Sequence, residues 1–148
     1  MIEVPHEMMA EAVRHCRSKL PEEGCGVWLG TDAKKTGGNP SIHAFYPIRN
    51  VAQDRTRSFL FDPAQWIPLL YQAERSDLRI IGILHSHPTA PPLPSSTDLL
   101  ALYADVPGYW IVSFRRPDRP EIGVFRATKQ AADGARGLEH VHTRAWNQ

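Results

Sequence analysis

Arg79-Ile80-Ile81-Gly82-Ile83-Leu84-His85-Ser86-His87 is the stretch from which the fold can be read. Its apolar residues run on without polar alternation, as in a strand covered on both faces, so it predicts a central strand. Upstream, Met9, Val13, Cys16 and Leu20 recur at helical spacing and predict a helix over about residues 6–19, stopped by Pro21. Gly26 to Gly30 reads as a short strand, followed by a Gly/Asn/Pro-rich loop from Thr31 to Pro40. Ile42 to Ile48 and Ser58 to Phe61 read as further strands. Asp62-Pro63 is an N-cap and N1 pair for a helix reaching about Arg75, and Pro68 inside it predicts a distorted first turn or a later start. Downstream come a short helix from Ser96 to about Ala104 and two strands, Tyr109 to Phe114 and Glu121 to Arg126. Trp28, Trp66 and Trp110 are expected in the core. Residues from Lys129 onward carry less pattern. Helices and strands in this mixed order predict an α/β or α+β domain built on one sheet.

The composition excludes several classes of function. Among 148 residues, 17 Lys+Arg against 16 Asp+Glu leave a net charge of +1, too balanced for nucleic acid or an anionic membrane as the main partner. The longest apolar run, Ile80 to Leu84, falls far short of the roughly 20 residues a bilayer requires. Glu3 and Glu7 interrupt the N-terminus where a signal peptide needs a basic start and an apolar run. Cys16 and Cys25 cannot build a disulfide framework, so a reducing, cytoplasmic setting is expected. Four of the 13 prolines, Pro88, Pro91, Pro92 and Pro94, stiffen one loop directly after the central strand.

That loop sits inside the segment that carries chemistry, His85-Ser86-His87-Pro88-Thr89-Ala90-Pro91-Pro92-Leu93-Pro94-Ser95-Ser96-Thr97-Asp98. Two histidines at i and i+2 on a strand face the same way and make a metal clip. Asp98, at the start of the next helix, is placed to be the third ligand. Two imidazoles and one carboxylate suit zinc, and three protein ligands leave the fourth position to water, the arrangement of a catalytic site. Such a site also needs a base and an oxyanion donor. Ser95 is the candidate donor, and Glu22 or Glu23 the candidate base. Each piece taken alone has a plainer reading: Ser95 and Asp98 have the spacing of a helix cap, and Glu22-Glu23 of a solvated acidic pair. A second His-x-His, His140 and His142, lacks a Ser or Asp at matching spacing and reads as surface. Cys25 reads as a small buried residue at the start of its strand.

The joint pattern resembles the signature of the JAMM (MPN-plus) zinc metallopeptidases over about residues 5–128. The resemblance implies one zinc per chain on His85, His87 and Asp98, with Ser95 stabilising the tetrahedral intermediate. Pro21-Glu22-Glu23-Gly24-Cys25-Gly26 matches the family's upstream glutamate motif, and that register implies Glu23 as the general acid/base acting on a zinc-activated water. It further implies a single α/β (α+β) domain over 1–128, one mixed sheet flanked by helices and related in architecture to cytidine deaminases, with 129–148 as an extension. The implied activity is hydrolysis of the bond after the C-terminal Gly-Gly of a ubiquitin-like or sulfur-carrier protein. Only 10 residues separate Asp98 from Tyr109, which resembles compact prokaryotic stand-alone members. A non-catalytic MPN-type interaction scaffold is the main alternative. A two-histidine, one-carboxylate iron oxygenase is a second, disfavoured by the predicted helices.

Overall fold

In the computed structural model, which describes residues 2–32, 37–100, 106–128 and 137–147, the sheet is built around Arg79–His87. The elements in chain order are α1 (His6–Lys19), β1 (Cys25–Thr31), β2 (Ser41–Ile48), α2 (Pro63–Arg75), β3 (Arg79–His87), α3 (Ser96–Leu100), β4 (Gly108–Ser113), β5 (Glu121–Ala127) and β6 (Leu138–Ala145). The strand order is β2-β1-β3-β4-β5-β6, with β3 and β4 parallel and every other pair antiparallel. The architecture is thus mixed α+β on one sheet, and β3 is interior as its apolar run requires. Among the described residues no helix is long and apolar enough to cross a membrane.

Strand alternation sorts the core into two layers. Val27, Ile83, Tyr109 and Ile111 pack with Leu69 and Ala73 of α2, whereas Trp28, Leu84, Trp110 and Val112 pack with Met9, Val13 and Cys16 of α1. The β1–β3 register shifts between Trp28 and Leu29, so Ile81 joins the α1 layer while Ile80 packs on the α2 layer. From Gly82 onward the alternation is regular, which puts His85 and His87 on the α2 side and Ser86 on the α1 side.

Three local expectations change, and a fourth falls partly outside the described residues. Ser58–Phe61 is not a strand; it contributes only the isolated Asn50–Phe61 bridge. The reason is chemical: the Asn50 side chain takes the Leu60 N–H and the Ser58 carbonyl, groups a ladder would have used. The helix α2 starts at Pro63, neither later nor with a disrupted first turn. Asp62 caps it by accepting the Ala64 N–H at 3.0 Å, and Pro68 stands on the exposed face. Trp66 is half-buried rather than fully in the core. Of the helix predicted from Ser96 to about Ala104, residues 101–104 lie outside the described residues, and α3 is described over Ser96–Leu100.

The weakly patterned C-terminal stretch contributes a strand, β6, on the open edge of β5. A register shift between Val124 and Phe125 breaks its inside–outside alternation, which removes the period-2 signal from the sequence. Trp146 follows it into the α1 layer, buried and stacked on His6 at 4.6 Å between ring centroids.

The α1 layer has no slack at its centre. A Cβ on Gly82 would lie 2.1 Å from Trp110 and 2.9 Å from Trp28, whose rings meet edge to face with centroids 6.1 Å apart. Gly82→Ala is therefore expected to cost about 1–3 kcal/mol through overpacking, read as a lower denaturant midpoint at unchanged slope.

Candidate metal and catalytic site

Strand β3 ends with both imidazoles on one face. His85 Nε2 lies 3.2 Å from His87 Nε2, and Asp98 Oδ2 lies 3.2 Å from the first and 3.0 Å from the second. All three residues are buried. Among the described residues they are the one group of three or more His, Cys, Asp or Glu able to hold a metal ion. Ligand atoms about 2.0–2.2 Å from a tetrahedral zinc stand about 3.3–3.6 Å from one another, within a few tenths of an ångström of the separations here, so the donor set and its spacing fit that ion.

The imidazoles are oriented from behind. The proline loop brings the Pro91 carbonyl 2.8 Å from His87 Nδ1, where it accepts the Nδ1 proton and turns Nε2 toward the Asp98 carboxylate. That loop is itself held: Ser113 Oγ donates to the Ala90 carbonyl at 2.6 Å, the Phe114 N–H donates to the His87 carbonyl at 3.0 Å, and Gly123 leaves room for the Pro92 carbonyl. His85 stacks on Phe59, with ring centroids 4.5 Å apart.

Asp98 performs two tasks. Its N–H donates to Ser95 Oγ at 3.0 Å, and its Oδ2 accepts the Ser95 N–H at 2.8 Å, the reciprocal bonds of a capping box. The same Oδ2 faces both imidazoles, so cap and cluster coexist. Ser95 Oγ is used there as an acceptor, which leaves its own O–H free to donate.

The charges are arranged to match. Burial opposes ionisation of Asp98, yet hydrogen bonds from His85 and His87 and from the Ser95 N–H hold its carboxyl well below the usual carboxylate range. Burial pushes the His85 imidazole down. His87 is raised in spite of burial, because Asp98, the Pro91 carbonyl and Glu23 surround it. Glu23 is only 3% exposed, and its Oε1 has no hydrogen-bond partner. Burial pushes its carboxyl up to about 8; His87 pulls it down, while Asp98 and Asp54 push it further up.

The two sequence candidates for the base stand in different surroundings. Glu22 is 38% exposed and pairs with Arg55 at 2.9 Å, whereas Glu23 turns inward. Cys25 and Cys16 are both buried thiols, Cys25 donating to the Ile48 carbonyl at 3.2 Å. His140 and His142 lie on β6, and His140 contacts Thr143 Oγ1 at 2.8 Å. Phe59 and Asn50 escaped the sequence reading, because both act through the shape of an irregular loop that leaves no periodic signal.

A mixed sheet that presents a buried His–His–Asp cluster at the end of its central strand beside a buried glutamate is the arrangement expected of a JAB-type domain. The chain belongs to that class: the profile of the prokaryotic homologs of the JAB domain matches residues 5–128. It is 31% identical over 96 residues, 65% of this chain and 60% of the relative, to a Thermus thermophilus protein named "Probable TtuB-protein conjugate cleaving protease". It is 28% identical over 136 residues, 92% of this chain and 86% of the relative, to the "CysO-cysteine peptidase" of Mycobacterium tuberculosis. The alignment thus spans about three fifths of the first relative and most of the second. The solution structure of a Desulfitobacterium hafniense protein superposes with a TM-score of 0.72 at 28% identity, covering 94% of this chain and 90% of that one.

Ser95→Ala removes the acceptor of the Asp98 N–H and is expected to destabilise the metal-free protein by about 1 kcal/mol, against almost nothing for the exposed Ser96→Ala. Denaturant titration of the two variants side by side checks this.

Proposed function

We propose that the chain is a zinc-dependent metallopeptidase, with one zinc per chain held by His85, His87 and Asp98. It hydrolyses the bond after the C-terminal Gly-Gly of a ubiquitin-like or sulfur-carrier protein. The observation that carries this reading is the convergence of His85 Nε2, His87 Nε2 and Asp98 Oδ2 within 3.2 Å of one another, beside a buried carboxylate with an unpartnered oxygen. The relatives' names support the substrate class, since one is named for cleaving TtuB–protein conjugates and another is a CysO–cysteine peptidase. A protein partner also suits the surface: Leu60, Leu93 and Leu99 are exposed, on the Phe59 loop, the proline loop and α3 that border the cluster. Buried, unpaired cysteines agree with a reducing compartment such as the cytoplasm.

When bound there, zinc supplies a water of pKa about 7 and polarises a carbonyl oxygen. Glu23 takes the proton of the attacking water and later passes it to the departing amine, a shuttle suited to a carboxylate whose ionised form burial disfavours. The Ser95 hydroxyl donates to the oxyanion while Asp98 keeps the start of α3 in register. The Pro91 carbonyl keeps His87 Nε2 aimed at the cluster throughout.

Purified protein is expected to hold one zinc and to cleave a ubiquitin-like protein extended beyond Gly-Gly, with the activity abolished by chelator. Glu23→Gln should keep the zinc and lose about 10²–10⁴ in kcat. Ser95→Ala should lose about 10²–10³ in kcat. His87→Ala should lose metal and activity together. Mass spectrometry of the products alongside metal analysis reads all of these. A zinc-loaded protein that leaves every such extension intact would indicate a binding scaffold instead.

A further inference from the structure

We propose that Asn50 is the positioning residue for the base: its side-chain amide ties the backbone of Glu23 to the loop that holds Phe59 against His85. This rests on the role given to Glu23 above.

Asn50 follows β2 and uses its full hydrogen-bonding capacity on backbone. Its Nδ2 donates to the Glu23 carbonyl and to the Ser58 carbonyl, both at 3.0 Å. Its Oδ1 accepts the Ala52 N–H at 3.0 Å and the Leu60 N–H at 3.1 Å. An asparagine amide has two donors and two lone pairs, and here all four are taken. Two carbonyls on one side and two N–H groups on the other admit one orientation of the amide.

The groups it grips are telling. Ser58 and Leu60 flank Phe59, whose ring stacks on His85. Glu23 lies just before β1, where the strand ladder cannot fix it. Its N–H donates instead to the Arg55 carbonyl at 2.7 Å, so both of its backbone groups are held by the 50–60 loop. On the far side, Gly24 exchanges two bonds with Ser86, its N–H reaching Ser86 Oγ at 2.8 Å and its carbonyl accepting the Ser86 N–H at 2.9 Å. Ser86 stands between His85 and His87. Glu23 is therefore suspended between the ligand strand and a loop that Asn50 closes onto both the base and the imidazole wall. Misplacing a catalytic group by about 1 Å can cost about 10²-fold.

The test compares full-length, zinc-loaded wild type with Asn50→Asp and Asn50→Ala. Asn50→Asp is isosteric and keeps the oxygen that accepts from Ala52 and Leu60, but loses the donors to Glu23 and Ser58. Asn50→Ala loses all four bonds without adding charge. On a Gly-Gly-extended ubiquitin-like substrate, kcat is expected to fall about 10–100-fold in both, with KM and zinc content within about twofold of wild type. Amide exchange of the metal-free proteins gives a second readout. Asn50→Asp should keep the Ala52 and Leu60 amides protected while the Glu23 amide exchanges about tenfold faster. Wild-type kcat in Asn50→Asp, a loss explained wholly by KM or missing zinc, or unchanged Glu23 protection would each overturn the proposal. A wild type that cleaves nothing would refute the hydrolase reading, and the exchange of the Glu23 amide would still decide the clamp.

Discussion

Two imidazole nitrogens and a carboxylate oxygen held in mutual contact away from water form the constraint on which this fold depends. Desolvating three such groups is unfavourable unless a positive charge sits among them. Without metal, a proton on an imidazole can supply it, and the surroundings of His87 favour one there. A divalent ion would satisfy all three ligands at once. The rest of the domain holds that arrangement ready: β3 aims the imidazoles, the proline loop fixes one of them, and the capping box of α3 carries Asp98 to both.

Economy of residues follows from this geometry. Asp98 is at once a cap and a candidate ligand, and Ser95 both a cap and a candidate donor, so the start of α3 is fixed by the contacts of the cluster. Ser86, pointing away from the cluster, links the ligand strand to the segment that carries the buried glutamate. The two layers of the core thus meet the site from both sides of one strand.

Much of this was legible in the sequence because it rests on local patterns. The α1 stripe of Met9, Val13 and Cys16, the doubly apolar β3 and the Asp62-Pro63 start of α2 each carry their own period or cap. The pair His85 and His87 could be put on one face by strand alternation alone. Other features depend on long-range geometry. Whether Glu22 or Glu23 turns inward cannot be read from two adjacent acids, and only the family register distinguished them. Ser58–Phe61 has the composition of a strand, but the side chain of Asn50 satisfies its backbone first. The strand β6 hides behind a bulge at its own Val141, and Trp146 behind a terminal position that gave no reason to expect burial.

The central claim is a three-ligand site with its fourth position open to solvent. X-ray absorption at the zinc edge of the loaded protein tests it directly. The account predicts a shell of four nitrogen and oxygen atoms at about 2.0–2.1 Å, two of them with imidazole scattering. A sulfur at about 2.3 Å, which would bring Cys25 or Cys16 to the metal, or a third imidazole closing the shell, would contradict it.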